Sequence, residues 1–311
     1  MAKVLQELKV RTLDAPWFLI YRRKSENIFY KILMYTMLIN IAYIFLYPVF
    51  YMISKSLMTV DDFLDPAVYW IPRVINTENF SMSIQAMKYW VSLGNSAQIA
   101  ILGSLGQLIS CALAGYGFGR IKFPGRELLF GLVIFTFIVP PQTIIVPLFI
   151  LYKNLGWIDT YNPFVIPAFF AHGLRGSLFI LIFRQFFRRQ PWELEDAARV
   201  DGSGPIRTFA TIFLPLAKPA MLVTFLFSVV WHWNDFYEPT MYLMKPDKYT
   251  VPLRLSILQA SLQDVMGGSG EFFNEPLVMA ACFLVVLPPL ILYVFTQRHF
   301  TESIERTGLV D

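Results

Sequence analysis

The chain has 311 residues, of which 56% are hydrophobic, 16% aromatic and only 15% charged. Charged residues make up about a quarter of an ordinary soluble domain, so this composition argues against a soluble protein and for a membrane protein. The net charge of +4 comes from basic residues spread between apolar stretches, a pattern that argues against a nucleic-acid surface. Cys111 and Cys282 both lie in apolar stretches and give no support for a disulfide framework or a metal cluster.

Six apolar stretches are each long enough to cross a bilayer core about 30 Å thick. The predicted spans are residues 28–53, 93–118, 128–152, 163–187, 219–244 and 276–300. They predict an all-α, polytopic fold with one six-helix membrane domain over residues 28–300. A segment at 1–27 precedes this domain, and a tail at 301–311 follows it.

The basic residues predict how the chain is oriented in the membrane. With six spans, four basic segments fall on the same side: 3–24, 120–126, 184–218 and 298–306. Short cytoplasmic segments carry an excess of Lys and Arg. We therefore expect a multi-pass membrane protein, surrounded by lipid, with both termini in the cytoplasm.

The second and third predicted spans carry features that affect helix packing. The second span has small residues at spacings of three and four, which let another helix approach closely: Gly103, Gly106, Ser110, Ala114, Gly115 and Gly119. We expect this span to be buried in the bundle. The third span is interrupted by Pro140, Pro141 and Pro147, so it is predicted to bend or unwind.

The long connection between the fourth and fifth spans, residues 188–216, is the most informative part of the chain. Pro191 suits a first helical turn, acidic residues follow it, and Gly202 can end a helix. Pro205 then opens a second short helix with an apolar stripe. The pattern predicts two short helices around a glycine turn. Two adjacent alanines would let the first helix dock closely against another surface, and an ordinary helix on the membrane surface fits this composition equally well.

The same stretch resembles the loop of binding-protein-dependent ABC importer permeases, whose pattern is Glu-Ala-Ala, three residues, Gly, nine residues, Ile, one residue, Leu-Pro. The matching residues here are Asp196, Ala197, Ala198, Gly202, Ile212, Leu214 and Pro215. Asp196 replaces the usual Glu, which keeps the charge and shortens its reach. Four more stretches resemble the carbohydrate-uptake branch, in particular the smaller membrane subunit of the maltose importer: 116–126, 139–142, 183–187 and 233–236.

This resemblance implies a type I ABC importer permease fold in a bacterial plasma (inner) membrane. It also implies an ATP-driven, binding-protein-dependent importer of sugars or oligosaccharides, with this chain forming half of the translocation path. The implied partners are a second permease subunit, two ATPase subunits and an extracytoplasmic solute-binding protein. ATP and magnesium would bind the ATPase, so this chain is expected to hold no cofactor, metal or catalytic residue. The residues implied to dock the ATPase are Glu195, Asp196, Ala197, Ala198, Asp201, Gly202, Ile212, Leu214 and Pro215.

The fifth predicted span contains a candidate lining of the substrate path. At helical spacing, one polar and aromatic face would carry Trp231, Asn234, Asp235 and Glu238. Aromatic rings stack on sugar faces, and Asn or Asp side chains bond to hydroxyl groups. Packing against the partner permease explains the same face equally well.

Arg175 lies near the middle of the fourth predicted span, where an ionisable residue marks a functional site by default. An ion pair with a partner helix, a helix break that admits water, and substrate contact are all open at this stage. If Arg175 faces the path, a carboxylated sugar becomes an attractive substrate, because guanidinium binds carboxylate through two hydrogen bonds.

Two other classes of membrane protein remain to be compared. An ion-coupled secondary transporter would also have apolar spans with buried ionisable residues, but it would not need the 188–216 segment. A membrane enzyme is disfavoured because His172, His232 and His299 lack metal-ligand spacing and no nucleophile with a base is evident. The sequence also has no phosphate-binding loop ending in Gly-Lys-Ser or Gly-Lys-Thr.

Overall fold

The computed structural model describes residues 17–173, 175–258, 260–262 and 274–308, with side chains placed between residues 28 and 297. Parts of the two predicted terminal segments, residues 1–16 and 309–311, lie outside the described residues. The described residues form helices and no β-strand, which confirms the all-α prediction.

The helices follow one another in this order: α1 Trp17–Ser56, α2 Val60–Leu64, α3 Glu78–Ala86, α4 Tyr89–Arg120, α5 Arg126–Ile138, α6 Pro141–Asn154, α7 Asn162–Val165, α8 Gly176–Arg189, α9 Glu193–Val200, α10 Pro205–Thr208, α11 Leu214–Leu216, α12 Lys218–Asn234, α13 Tyr237–Tyr242, α14 Val251–Ser256 and α15 Glu275–Gly308. Two 3₁₀ turns and one π turn connect some of them: Pro167–Phe170, Pro246–Lys248 and Phe209–Phe213.

Three helices are long and apolar enough to cross a membrane: Ile28–Ser56 of α1, Tyr89–Arg120 and Glu275–Gln297 of α15. Two helix pairs qualify only together, because each bends sharply at a short break. The pair α5 and α6 bends by 98°, and residues 205–216 meet α12 at 79°. The described residues thus contain three continuous candidate spans, or up to five if each bent pair is one span, and the count of six stays a prediction.

The bend between α5 and α6 confirms the prediction made from the prolines. Val139 is extended, and Pro140 and Pro141 begin the next helix without backbone N–H groups. The fourth predicted span, 163–187, is wrong as a continuous helix. It is divided into α7, a 3₁₀ turn and α8, because Ala171 and Arg175 adopt left-handed backbone angles that end the helical path between them.

Helix α4 lies at the centre of the bundle, as its small residues predicted. A Cβ atom added at Gly115 would lie 2.4 Å from Cβ of Phe183 in α8. A Cβ atom at Gly103 would lie 2.7 Å from Nε2 of His232 in α12. Since real side chains do not approach that closely, the missing Cβ atoms are what allow α8 and α12 to pack against α4.

A polar corner joins the end of α1 to the segment before α4. The Asn79 side chain donates hydrogen bonds to the carbonyl oxygens of Ser56 and Met58, at 2.8 Å each. Nearby, the backbone N–H of Ala67 and then the Arg73 guanidinium lower the pKa of the Asp65 carboxyl from its usual value. These bonds keep the end of α1 fixed against α3.

Candidate functional site: the 188–216 segment and the Arg175 break

The 188–216 segment folds as two short helices around a glycine turn, which confirms its predicted local structure. Helix α9 ends at Val200, and Asp201 caps it. Gly202 follows with a φ angle of 74°, a conformation that glycine adopts without steric cost. The backbone N–H of Ser203 then donates to the carbonyl oxygen of Ala198 at 2.8 Å. Helix α10 begins at Pro205, where a missing N–H costs nothing.

The predicted docking residues divide into an exposed set and an inner set. The exposed residues are Asp196, Ala197, Asp201, Gly202 and Pro215. The inner residues, buried or half-buried, are Glu195, Ala198, Ile212 and Leu214. Of the two adjacent alanines, only the first is accessible, because Ala198 is 3% exposed and packs toward the bundle. The segment thus has one exposed face and one face attached to the rest of the chain.

Arg120 attaches this segment to the end of α4. Its side chain is buried, and Nε donates to Glu195 Oε2 at 3.2 Å. Its Nη1 donates to the carbonyl oxygen of Gln190 at 2.8 Å, and Nη2 donates to that of Pro191 at 3.1 Å. The Trp192 ring lies 3.8 Å from the guanidinium carbon. One side chain therefore connects the last residue of a candidate span to the first turn of α9.

Arg184 makes a second attachment, between α8, α4 and α5. Its Nη2 donates to Glu127 Oε2 at 2.7 Å, and its Nε donates to the carbonyl oxygen of Phe118 at 3.3 Å. The guanidinium carbon lies 3.7 Å from the Phe130 ring centroid. The two buried arginines together hold the ends of three helices at the side of the bundle that carries the 188–216 segment.

Aromatic side chains fill the space between these attachments. The Tyr116 ring of α4 lies 5.1 Å from Phe209, 5.2 Å from Phe213 and 5.8 Å from Phe187. Rings at these separations pack favourably, by about 0.5–1.5 kcal/mol per pair beyond the area they bury. Movement of the 188–216 segment would therefore be transmitted directly to α4 and α8.

Arg175 lies at the break before α8, in a different setting from Arg120. It is exposed, and its φ angle is 60°. Its guanidinium carbon is 5.6 Å from the Phe137 ring and 5.8 Å from the Trp231 ring. Among the residues that the structure describes, no carboxylate pairs with it. The structure thus brings together Arg175 and Trp231, two candidates from different predicted spans.

The predicted polar face of the fifth span is wrong as a single helical face. Its members were placed at helical spacing: Trp231, Asn234, Asp235 and Glu238. Helix α12 instead ends at Asn234, and Asp235 has an extended backbone with a ψ angle of 123°. Asp235 Oδ1 accepts the backbone N–H groups of Tyr237 at 3.1 Å and Glu238 at 3.3 Å. The carboxylate therefore holds the start of α13, and Glu238 belongs to a separate helix.

The sequence did not reveal Arg120 and Arg184 as attachments. Arg120 was one of several basic residues in a short turn, and Glu195 lies 75 positions away from it. A basic residue at the end of a predicted span is ordinarily a topology signal. Its pairing with an acidic residue of the 188–216 segment could be inferred only from tertiary structure.

Apolar spanning helices, two bent helix pairs and an attached helix-turn-helix segment define a multi-pass membrane permease. Residues 111–306 match the family model described as binding-protein-dependent transport system inner membrane component. Because this match covers more than half of the chain, the chain belongs to that family. The membership disfavours an ion-coupled secondary transporter.

Individual relatives extend the likeness to nearly the whole chain. AraQ, the arabinooligosaccharides transport system permease protein of Halalkalibacterium halodurans, is 28% identical over 86% of this chain and 92% of that protein. YtcP of Bacillus subtilis, a polygalacturonan/rhamnogalacturonan transport system permease protein, is 27% identical over 89% of this chain and 97% of that protein.

A solved structure supports the fold. A chain of a bacterial ABC transporter involved in import of the acidic polysaccharide alginate superimposes with a TM-score of 0.75. It is 23% identical, and the likeness covers 89% of this chain and 98% of that one. This similarity shows that the chain has the type I ABC importer permease fold.

Proposed function

We propose that this chain is the permease subunit of an ATP-driven, binding-protein-dependent importer of sugars or oligosaccharides. It forms half of the translocation path and docks an ATPase through residues 190–215. The observation that carries the proposal is the division of the 188–216 segment into an exposed face and a face attached to α4. The names of two relatives, transport system permease proteins for arabinooligosaccharides and for polygalacturonan or rhamnogalacturonan, support the sugar class.

The proposed assembly contains a second permease subunit, two ATPase subunits and an extracytoplasmic solute-binding protein. ATP and magnesium bind the ATPase subunits, and this chain performs no hydrolysis itself. Both termini and the 188–216 segment face the cytoplasm, in agreement with the basic residues on that side. The segment is then on the side of the membrane where ATP is available.

The mechanism follows from the rigid attachment of α9. Closure of the ATPase pair moves the exposed face of α9, and the buried pair of Arg120 and Glu195 carries that movement to α4. The aromatic packing around Tyr116 carries it to α8 as well. The bundle then changes between inward-facing and outward-facing states because ATP binding favours one of them. Hydrolysis restores the other state.

Cysteine crosslinking at two adjacent positions tests the docking surface. In a background where Cys111 and Cys282 are replaced by Ala, we expect Ala197→Cys to crosslink to the ATPase in native membranes, because Ala197 is exposed. Ala198→Cys is the matched control, since the Ala198 side chain is buried. Failure of Ala197→Cys to capture an ATPase, or equal capture at both positions, would contradict the proposed docking face.

A transport assay separates the proposal from ion-coupled transport. The complete importer in proteoliposomes should accumulate sugar only when ATP is present, and uptake should persist after ionophores collapse all ion gradients. Uptake that follows an ion gradient and ignores ATP would refute the proposed function.

A further inference from the structure

In the six-span topology predicted from the sequence, Arg175 lies within the thickness of the membrane rather than at its surface. Helix α8 begins at Gly176 and has 14 residues, with Arg188 and Arg189 in its last turn. At about 1.5 Å per residue, it separates Arg175 from that basic end by about 21 Å. A bilayer core is about 30 Å thick, so the guanidinium is at a depth where lipid tails would otherwise surround it.

A guanidinium at this depth requires a polar environment. An arginine that faces lipid at such a depth is costly, so it ordinarily faces a polar path or pairs with a partner. Within the described part of the chain, Arg175 has no carboxylate partner, and its side chain is exposed. The described residues therefore give the guanidinium ring contacts but no carboxylate, and its exposed side chain is accessible to an aqueous path and its solute or to a partner subunit.

The break before α8 holds Arg175 in an unusual backbone conformation. Ala171 and Arg175 have φ angles of 58° and 60°, which non-glycine residues adopt infrequently and at an energetic cost. Gly176 is packed so closely that an added Cβ would lie 2.4 Å from the Ala171 carbonyl oxygen. The break is therefore fixed by packing, and it presents the arginine at the start of α8.

Two aromatic rings border the guanidinium, and no side chain among the described residues forms an ion pair with it. Phe137 and Trp231 lie 5.6 and 5.8 Å from its central carbon. Trp231 is itself supported by Phe179 at 5.4 Å and by Phe227 at 5.6 Å. An arginine edge binds a carboxylate through two parallel hydrogen bonds, while aromatic walls are the usual lining of small-molecule sites.

We propose that Arg175, Trp231 and Phe137 form a binding site for the carboxylate-bearing units of an acidic oligosaccharide as it crosses the membrane. Arg175 binds the carboxylate of a uronic acid unit, and the two rings contact the face of the sugar ring. This site rests on the proposed function, because it places a sugar in the path of an importer. It specifies that function further by assigning a negative charge to the substrate.

The test compares acidic and neutral sugars of the same length. The complete importer, with its partner subunits and binding protein, is reconstituted in proteoliposomes. The probes are galacturonate, glucuronate, mannuronate and guluronate trisaccharides, and the same trisaccharides with carboxyl groups reduced to alcohols. We expect Arg175→Gln to lower ATP-dependent uptake of the transported uronate about tenfold or more, since hydrogen bonds to charged groups are lost. Uptake of any neutral trisaccharide should be unchanged.

Two further variants distinguish binding from charge and from folding. Arg175→Lys keeps the charge but loses the paired geometry, so it should recover part of the uronate uptake. Lys31→Gln removes an exposed positive charge from α1, outside the site, and should leave both kinds of uptake as in the wild type. Trp231→Leu should lower uptake of acidic and neutral sugars to a similar extent, because a ring face does not detect charge.

Several outcomes would overturn the site. Equal loss of acidic and neutral uptake in both Arg175 variants would show that the residue has a structural role, as in an ion pair with the partner permease. Wild-type import of neutral trisaccharides only, unchanged by Arg175→Gln, would reject the site and leave the proposed function standing. A wild-type importer that accumulates no sugar with ATP would reject the proposed function itself.

Discussion

Two arginines of this chain lie in opposite environments. Arg120 is buried, and its guanidinium donates to a carboxylate and to backbone carbonyls around the start of α9. Arg175 is exposed and has two aromatic rings beside it, with no carboxylate among its described neighbours. Arg120, whose donors have partners within the chain, therefore joins elements of the chain to one another. The guanidinium of Arg175 is instead accessible to a molecule outside the chain.

The difference has an energetic basis. A buried ion pair contributes little net stability, yet removal of one partner leaves an uncompensated buried charge and costs several kcal/mol. Replacement of the exposed Arg175 removes only its two long ring contacts among the described residues. Four substitutions test this contrast, in decreasing order of expected effect on stability.

Arg120→Gln should cause the largest loss. It leaves Glu195 Oε2 and the carbonyl oxygens of Gln190 and Pro191 without the Arg120 donor, although Arg199 still donates to Glu195 Oε1. The free energy of unfolding should fall by about 3 kcal/mol. Denaturant titration in mixed micelles measures this change, and amide hydrogen exchange should accelerate over residues 193–200. The double variant with Glu195→Gln should recover part of the loss, because the buried carboxylate that has lost Arg120 is then uncharged. Strict additivity of the two changes would disprove the coupling.

Gly115→Ala should cause the next largest loss, because α8 packs closely against α4 at this glycine. The new Cβ would lie 2.4 Å from Cβ of Phe183 and 2.9 Å from the backbone nitrogen of Arg184. Overpacking of this kind costs about 1–3 kcal/mol. Gly117→Ala, on the same helix with no atom within 4 Å, is the control and should be neutral or slightly stabilising. Equal melting temperatures for the two purified variants would argue against close α4–α8 packing.

Trp192→Leu should have a smaller effect, confined to the attachment of α9. The ring lies 3.8 Å from the Arg120 guanidinium carbon and is partly exposed, a setting in which a cation–π contact contributes about 0.5–1 kcal/mol. Val200→Ala, at an exposed apolar position of the same helix, should be silent. If both variants shift the unfolding transition by the same amount, the ring does not support Arg120.

Arg175→Gln should have the smallest effect on stability. It removes no ion pair seen within the described residues, so the free energy of unfolding should change by less than about 0.5 kcal/mol. The same micelle titration measures it beside Arg120→Gln. A loss of about 2 kcal/mol or more would mean that Arg175 has an internal partner, and the contrast between the two arginines would then fail.

Local features of the fold were predictable because residue chemistry determines them. Prolines at 140 and 141 predicted the sharp bend after α5, and Gly202 predicted the turn after α9. The small residues of α4, Gly103 and Gly115 among them, predicted its central position. Each of these depends on a property of one residue type: a missing N–H group, freedom at positive φ, or a missing Cβ.

Features that depend on distant contacts were not predictable. The break at Ala171 and Arg175 uses left-handed angles that neither residue type favours, so residues 163–187 were expected to form one helix. The end of α12 at Asn234 is held by Asp235, whose carboxylate caps the next helix instead of lining a common face with Trp231. The helical spacing of side-chain types continues through such positions. It therefore does not show where the backbone leaves the helix.

The proposed transmission has two links: the exposed contacts of α9 with the ATPase and the buried Arg120–Glu195 pair. Because only the second link is buried, the two should respond differently to ionic strength. Ions in solution screen exposed charges strongly and enclosed pairs weakly. Contacts made by Asp196 and Asp201, which are exposed, would weaken as salt is added, while the junction inside the chain keeps its strength. High salt would then release the ATPase from the permease before it loosens α9 from α4.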